Sequence, residues 1–316
     1  MGIFETLHGV SSTMLEADGT LESCMLTEEN TIETGYGPVI PKWQEDVRKK
    51  NIPSISFYPD GTLKSVALEQ QQLISTPLGT LPAEFITFYP DGALRRVFPC
   101  NGKITAYWSE EEEAALCPSL SFSLPVAELQ AKLTAIHFYH GGALNSMSLW
   151  PGETVSVRTP QGSMPTRIGF SLHEDGSLQS MEPPYPIDVT TPIGVIPAFD
   201  PDALGIHGDS NSLSFLPDGS IQTVTTMDTR IEIIQPGGQS VFFGPTAQSD
   251  PLLDDQFITI PVRLSFEADH VTPENAVGQK RFSLTDCGFR VIPIEGDLTG
   301  ARRMNCGDCS TCNKCG

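Results

Sequence analysis

The stretch Ile55-Ser-Phe-Tyr-Pro-Asp-Gly-Thr-Leu-Lys-Ser-Val66 decides the fold class predicted for this chain. Its first residues alternate between apolar and polar, with Ile55 and Phe57 on one face, which indicates a half-buried β-strand. Pro-Asp-Gly then predicts a tight turn, because proline presets φ and glycine accepts the positive φ that such a turn requires. Leu63 and Val66 continue the apolar face after the turn, so the stretch predicts a β-hairpin.

The same phrase recurs along the chain with uneven spacing. Its further copies are Ile86–Val97, Ile136–Leu144, Phe170–Leu178, Leu213–Ile221 and a worn first copy at Met14–Leu21. A second phrase of the type Thr-Pro-x-Gly follows several copies, at 76–79, 159–162 and 191–194. One hairpin cannot bury its apolar face alone, so neighbouring units must continue it. We therefore predict a mostly β protein, an antiparallel hairpin repeat array that forms an extended sheet or a solenoid.

The phrase stops near residue 250, and this divides the chain into three predicted regions. Residues 1–249 form the β-hairpin repeat domain, and residues 250–300 form a small β-rich cap. In the cap, strand patterns at 257–266, 281–284 and 289–294 surround a short helix that we expect to begin at Thr272-Pro273. Residues 301–316 form a cysteine-rich metal-binding tail.

Three short helices are expected to interrupt the repeats. Pro41–Lys50 has proline near its start and three basic residues at its end, as the helix dipole favours. Ser109–Leu116 begins with a capping box of Ser109 and Glu112, and we interpret its four glutamates as a solvated helix N-terminus. Pro125–Leu133 carries Val126, Leu129 and Leu133 at helical spacing.

The Phe-Tyr-Pro-Asp-Gly-x-Leu units resemble the MORN-variant hairpin repeats of YwqK-type antitoxin proteins. The resemblance covers roughly residues 13 to 240, although the spacing of the units here is irregular. It implies a β-repeat architecture that supplies an interaction surface and no catalysis.

The most specific chemistry lies in the tail, where Cys306, Cys309, Cys312 and Cys315 are each separated by two residues. The first three resemble the Cys-x2-Cys-x2-Cys segment of bacterial ferredoxins. The fourth departs from that pattern, so either Cys315 or Cys287 could complete the ligand set. We expect a [4Fe–4S] cluster, because closely spaced cysteines can each reach a different iron. Zinc or copper(I) is the alternative, and a redox-active or disordered tail is a third.

The remaining cysteines and the motif search suggest no catalytic site. Cys24, Cys100 and Cys117 are isolated in the sequence, and we interpret them as buried small hydrophobic residues. No nucleophile elbow, zinc-protease motif or phosphate loop occurs in the sequence.

Composition narrows the possible partners and compartment. The formal net charge of −20 disfavours nucleic acid and anionic membranes, and it suits docking on a basic protein surface. We see neither a secretory signal nor a membrane span in the sequence, so we predict a cytoplasmic protein whose thiols stay reduced.

These observations together predict a non-catalytic accessory or electron-transfer protein. It would dock on a protein partner, such as a redox enzyme, through its repeats and carry the metal centre at its C-terminus. A protein-interaction scaffold with a zinc-bound or disordered tail is the first alternative. A thiol–disulfide redox protein is the second.

Overall fold

The protein, described by a computed structural model for residues 3–203, 211–249 and 257–294, is mostly β, as predicted. Within these ranges one antiparallel sheet contains 18 of the strands, and smaller sheets contain the others. The helical elements of the described residues are a 3₁₀-helix, Ile3–Thr6, and one α-helix, α1, Glu110–Leu116. Neither of these helices is long and apolar enough to cross a membrane.

The strands follow in chain order. The first nine are β1 (Val10–Leu15), β2 (Leu21–Leu26), β3 (Ile32–Thr34), β4 (Gly37–Val39), β5 (Ile55–Phe57), β6 (Leu63–Thr76), β7 (Gly79–Phe88), β8 (Leu94–Phe98) and β9 (Ser119–Leu124). The next nine are β10 (Ala127–Phe138), β11 (Leu144–Leu149), β12 (Val155–Thr159), β13 (Gly162–Leu172), β14 (Leu178–Glu182), β15 (Ile187–Thr191), β16 (Gly194–Ala198), β17 (Leu213–Phe215) and β18 (Ile221–Thr226). The last nine are β19 (Thr229–Ile234), β20 (Ser240–Phe243), β21 (Thr246–Ser249), β22 (Phe257–Ile260), β23 (Val262–Phe266), β24 (His270–Asn275), β25 (Gly278–Gln279), β26 (Phe282–Ser283) and β27 (Gly288–Pro293).

Every copy of the repeat phrase closes the same kind of turn. The Gly61 amide donates to the Tyr58 carbonyl at 2.8 Å, and the Tyr58 amide donates to the Thr62 carbonyl at 2.8 Å. Gly61 has a φ of +81°, so the loop is a type I turn followed by a glycine bulge. The equivalent glycines at 19, 92, 142, 176 and 219 have φ between +83° and +86°. The local chemistry of the phrase therefore produces six equivalent hairpin turns in the described residues.

The chain folds as two units, of which the larger comprises residues 3–185, 201–203 and 211–222 among those described. Its strands hydrogen-bond antiparallel in the order β1, β2, β5, β6, β7, β8, β10, β11, β13, β14 and β17. Because successive strands in this order alternate in direction, the repeat turns all lie at one edge of the sheet. In five copies of the phrase, the last residue before the turn is a buried core residue. These residues are Phe57, Phe88, Phe138, Leu172 and Phe215.

The second phrase forms a second type of hairpin turn. The Thr76 hydroxyl donates to the Gly79 carbonyl at 2.7 Å and accepts from the Leu78 amide at 3.1 Å. The same pair of bonds occurs at Thr34–Gly37, Thr159–Gly162 and Thr191–Gly194. In the larger unit, the tips of two such hairpins fold back onto repeat turns: Pro77 lies over Gly142 and Pro160 lies over Gly219.

The smaller unit comprises residues 186–200, 223–249 and 257–294 among those described. β19 pairs with β20 on one side and β27 on the other. β23 pairs with the end of β18 and with β24, while β15–β16 and β21–β22 are separate hairpins. The strands predicted at 257–266, 281–284 and 289–294 are confirmed, the second as the short strand β26.

The helix predicted at Pro41–Lys50 is wrong, because this segment is irregular, with bends at 44, 47 and 48, and pairs at both ends with other chain segments. Pro41 forms a bridge with Leu68, and Lys49 forms a bridge with Gly102. Arg48 and Lys49 of this segment turn inward to meet buried partners, which are described below, while Lys50 is exposed. Tertiary pairing therefore outweighs the helix signals of the local sequence.

Two further helix predictions are also wrong. Residues 127–133 belong to β10, in which Leu129, Ala131 and Leu133 are buried at a period of two. The spacing of Leu129 and Leu133 fits a strand as well as a helix, so it does not distinguish the two. Thr272-Pro273 lies in the middle of β24 and not at the start of a helix. The capping box of Ser109 and Glu112 at the start of α1 is confirmed.

Candidate functional site

The tail cysteines predicted to bind the metal, Cys306, Cys309, Cys312 and Cys315, lie outside the described residues. Cys287, the alternative fourth ligand, is described, and it lies partly buried between β26 and β27. Its amide donates to the Ser283 carbonyl at 3.3 Å. The ligand set of the tail therefore stays a prediction.

The described part of the chain contains a buried ionic cluster that the sequence did not reveal. Arg48 lies between two carboxylates: one guanidinium nitrogen is 2.8 Å from the nearer Glu113 oxygen, and the other pairs with Glu84. The three side chains are 12%, 2% and 6% exposed, in the order Arg48, Glu113 and Glu84. This is an ion-paired centre largely removed from water.

Three chain segments bring these side chains together. Arg48 is on the irregular segment that follows β4, and its carbonyl accepts from the Lys103 amide at 2.8 Å. Glu84 is on β7, and Glu113 is on α1. Arg48, Glu84 and Glu113 are far apart in sequence, so only the tertiary pairing of these segments assembles the cluster.

Backbone amides and an indole also donate hydrogen bonds to the two carboxylates. The Asn101 amide donates to Glu84 Oε2 at 2.7 Å, and the Gly102 amide donates to Glu113 Oε1 at 2.8 Å. Trp108 Nε1 donates to Glu113 Oε2 at 2.7 Å. A Cβ added at Gly102 would lie 2.1 Å from the Glu113 carboxylate, so any larger residue here would displace that carboxylate. Glu113 is therefore an interior residue, and our interpretation of all four helix glutamates as solvated is wrong for this one.

The pKa of Arg48 and the pKa of the neighbouring Lys49 are shifted in opposite directions. Burial acts to lower the pKa of Arg48, but the adjacent Glu84 and Glu113 carboxylates outweigh it and raise that pKa. Burial lowers the pKa of Lys49, whose ammonium donates to the carbonyl of Leu68 at 2.9 Å and to that of Glu69.

Two cysteines border the carboxylates. The prediction that Cys100 and Cys117 are buried is confirmed, but they are not isolated, because their thiols are hydrogen-bonded to each other. This hydrogen bond and burial raise the pKa of Cys100, and nearby Glu84 and Glu113 reinforce the effect. The same hydrogen bond lowers the pKa of Cys117, against the effect of burial and with help from the Lys132 charge. Cys24 is also buried, and burial raises the pKa of its thiol to about 11.

Single ligand atoms of Glu84, Cys100 and Glu113 lie within 4.8 Å of one another. Cys100 and Glu113 also line a cleft of about 810 Å³ in the larger unit. Trp150 and Ile168 contribute to its wall. Ile168 has a φ of +64°, which accompanies a bulge where β13 shifts register against β14.

A second feature of the larger unit is a row of acidic turn residues, here called the acidic edge. It consists of the exposed aspartates of five repeat turns, Asp18, Asp60, Asp91, Asp175 and Asp218. Asp60 Oδ1 accepts from the Thr62 amide at 3.0 Å and from the Thr62 hydroxyl at 2.6 Å. Asp18, Asp175 and Asp218 accept the same two hydrogen bonds from the residue two positions later in the chain.

These bonds hold the carboxylates in a fixed orientation and lower their pKa. The hydroxyl bond is the larger cause, followed by the backbone bond, at Asp18, Asp60, Asp175 and Asp218. The acidic edge was visible in the sequence as the repeated Asp-Gly, but its alignment follows only from the strand order.

No protein-family model, curated protein or solved structure matches the chain. The fold and the cluster must therefore be interpreted from their own chemistry.

Proposed function

We propose that this protein is a non-catalytic accessory or electron-transfer protein of the cytoplasm. It docks on a basic surface of a protein partner through the acidic edge and carries a cysteine-ligated metal centre, a [4Fe–4S] cluster, on its C-terminal tail. The observation that supports docking is the acidic edge. It consists of five exposed aspartates on turns that, by the strand order, lie along one side of the sheet.

The acidic edge is suited to docking for two physical reasons. Its carboxylates are oriented before binding by bonds to Thr20, Thr62, Ser177 and Ser220, so little side-chain freedom is lost on association. A row of like charges also steers an oppositely charged partner and raises the association rate. The net charge of −20 adds a long-range field of the same sign.

The metal half of the proposal is supported by the spacing of Cys306, Cys309, Cys312 and Cys315. A cluster there would be a one-electron relay, and the cysteines would act as ligands only. A partner that exchanges electrons with it, such as a redox enzyme, would need to bring its own centre close to the tail. Docking through the repeats would provide that proximity.

Anaerobic purification followed by metal and sulfide analysis tests the metal half. We expect near-stoichiometric iron and sulfide and a broad visible absorption band, both lost in a Cys306→Ala/Cys309→Ala variant. A Cys24→Ser variant is the matched control and should keep the band. Zinc in place of iron would favour the interaction-scaffold alternative, and no metal on the tail would overturn this half of the proposal.

Affinity capture with two charge-matched variants tests the docking half. Asp60→Asn/Asp91→Asn/Asp218→Asn removes three charges from the acidic edge, and Glu29→Gln/Glu45→Gln/Glu111→Gln removes three exposed charges from outside the repeat turns. We expect a partner with a basic face that the wild type and the second variant retain and the first loses. Retention should fall steeply as salt rises. Equal retention by both variants would contradict docking through the acidic edge.

A further inference from the structure

We propose that the cleft of the larger unit binds an amphipathic organic cation, a small molecule with an apolar body and one ammonium group. The apolar walls of the cleft hold the body, and Trp150 and Glu153 hold the ammonium. The inference does not rest on the proposed function above, because it uses neither the acidic edge nor the tail.

The cleft is formed where two strands of the sheet bulge. β10 shifts register against β11 at Thr134, and β13 shifts register against β14 at Ile168. Both residues line the cleft. Bulges bend a strand and are frequent next to binding sites. Ile168 also has a φ of +64°, a conformation that a β-branched residue keeps only where its surroundings enforce it. The cleft is therefore built into the sheet and needs no ligand to open it.

The size and the walls of the cleft suit a small organic molecule. Its volume of about 810 Å³ lies in the range of about 300–1,000 Å³ that is usual for such sites. Its apolar wall residues include Phe98, Ile104, Leu149, Trp150 and Pro184. Ile104 is 56% exposed, so a ligand in the cleft can remove a large apolar side chain from water. An apolar body is thus the part of the ligand that most of the lining recognises.

A tight turn places an aromatic ring and a carboxylate side by side in this lining. The Glu153 amide donates to the Trp150 carbonyl at 3.0 Å, and the two residues between them are Pro151 and Gly152. Gly152 has a φ of +84°, as a type II turn requires, and such a turn brings its first and last residues together. Trp150 and Glu153 both line the cleft.

This pairing of indole and carboxylate is suited to an ammonium group. The face of an indole attracts a cation, and the carboxylate supplies the opposite charge. Because Pro151 and the hydrogen bond of the turn hold the backbone of Trp150 and Glu153 before binding, little freedom is lost when the cation arrives.

Two of the other charged residues that line the cleft are already neutralised. The Arg167 guanidinium lies 3.9 Å from the buried Glu182 carboxylate and donates to two backbone carbonyls. Glu113 is paired with Arg48 and accepts further hydrogen bonds on both of its oxygens. Neither residue therefore selects the charge of a ligand.

The remaining charges favour a cation. They belong to Lys50, Glu110 and Glu153, and none of these three forms an ion pair within the part of the chain that the structure describes. Their sum is one net negative charge, and the chain as a whole carries −20. An anionic ligand would meet two carboxylates here, whereas a cation is attracted both by the cleft and by the long-range field.

Fluorescence titration with dansylcadaverine tests the proposal. This probe joins a naphthalene ring to a terminal ammonium, and its emission rises when the ring leaves water. Dansyl-pentylamide is the neutral control, and dansyl-aminocaproate is the anionic control with the same ring. We expect one dansylcadaverine per chain, bound at least about tenfold more tightly than either control, since the cation–π contact and the ion pair act together. The difference should shrink as salt rises.

Substitutions in the turn locate the bound cation. Glu153→Gln and Trp150→Leu should each weaken dansylcadaverine binding by about fivefold or more, while Glu153→Gln leaves binding of the neutral probe unchanged. Lys50→Gln removes a like charge and should strengthen binding of the cation by about twofold. Glu29→Gln and Trp43→Leu, which change residues outside the cleft, are the matched controls and should bind as the wild type does.

Several outcomes would overturn the proposal. They are no binding of dansylcadaverine at about 1 mM, equal binding of the three probes, and equal effects of Glu153→Gln and Glu29→Gln. Many equivalent sites per chain would show attraction to the acidic surface at large and would overturn it too. Glu153→Gln preserves the size of a partly exposed side chain, so the test stays decisive if Trp150→Leu fails to fold.

Discussion

The Tyr58 hydroxyl donates a hydrogen bond of 2.8 Å to the backbone carbonyl of Phe88, which lies one repeat further along the chain. The pattern continues from Tyr89 to Phe138 at 2.9 Å and from Tyr139 to Leu172 at 2.8 Å. His173 Nε2 lies 3.0 Å from the Phe215 carbonyl in the equivalent place. In these copies, the side chain that follows the buried core residue therefore forms a hydrogen bond with the backbone of the next copy. This ladder of hydrogen bonds keeps the repeat turns aligned.

Replacing Tyr89 by Phe tests this ladder. The change removes one hydroxyl and leaves the ring, which packs against His140 at a centroid distance of 5.3 Å. We expect the free energy of unfolding to fall by about 1 kcal/mol, the net contribution of one such hydrogen bond, as measured by urea denaturation. Tyr107→Phe is the control, because Tyr107 is 95% exposed and its change should have no measurable effect. Equal effects of the two changes would show that the ladder does not stabilise the fold.

Replacing Gly219 by Ala tests the contact between the two hairpin types. Gly219 has a φ of +83°, and a Cβ there would lie 3.1 Å from Pro160 Cγ. Gly61→Ala is the matched change, because Gly61 has a φ of +81° and open space around it. We expect Gly61→Ala to cost about 1–2 kcal/mol for backbone strain alone, and Gly219→Ala to cost about 1–3 kcal/mol more for overpacking.

A Pro160→Ala background separates these two costs. It removes the proline ring, so the extra cost of Gly219→Ala should shrink there while the cost of Gly61→Ala should not change. An extra cost that persists without the ring would mean that Pro160 is not what Gly219 accommodates.

Replacing Arg48 by Ala tests the buried cluster. The change leaves two carboxylates that are 6% and 2% exposed without their guanidinium partner. We expect unfolding to require about 3–5 kcal/mol less free energy, as is typical when one partner of a buried ion pair is removed. Arg281→Ala is the control, since Arg281 and Glu267 form an ion pair that is more than half exposed, and it should change stability by about 0–1 kcal/mol. Similar losses in both variants would contradict a buried role for Arg48.

The turn aspartates predict how stability depends on pH. The pKa of Asp60, Asp175 and Asp218 is lowered from the ordinary 3.8 by hydrogen bonds that the hydroxyl and the amide of the residue two positions later donate. A folded pKa below the unfolded value means that these carboxylates stabilise the fold above the ordinary pKa and lose that effect as pH falls through the lowered one. The unfolding temperature, measured from pH 5 down to about pH 2, should therefore fall more steeply for the wild type than for an Asp60→Asn/Asp175→Asn/Asp218→Asn variant. Parallel curves would show that the bonds do not persist in solution.

The hairpins could be predicted because each is specified within about a dozen consecutive residues. Pro-Asp-Gly sets its own turn, and alternation such as Ile86 and Phe88 marks the buried face, whatever the rest of the chain does. The capping box of Ser109 and Glu112 could be predicted for the same reason, since its two bonds span three residues.

The failed predictions share one cause, which is that the deciding partner lies outside the segment that carried the helix signals. The segment at 41–50 carries helix signals, but the Lys42 amide pairs with the Ala67 carbonyl at 2.7 Å and the segment forms no helix. Leu129 and Leu133 fit two periods, and pairing of β10 with β9 and β11 selects the strand.

Short-range sterics and hydrogen bonds specify the hairpin units, their turn chemistry and the mostly β class, so these could be predicted from the sequence. The alignment of the turn aspartates along one edge, and the meeting of Arg48, Glu84, Cys100 and Glu113 in the interior, depend on the tertiary fold. Strand order and burial are collective properties of the packed chain, and a local pattern does not encode which distant charge or thiol will lie beside another.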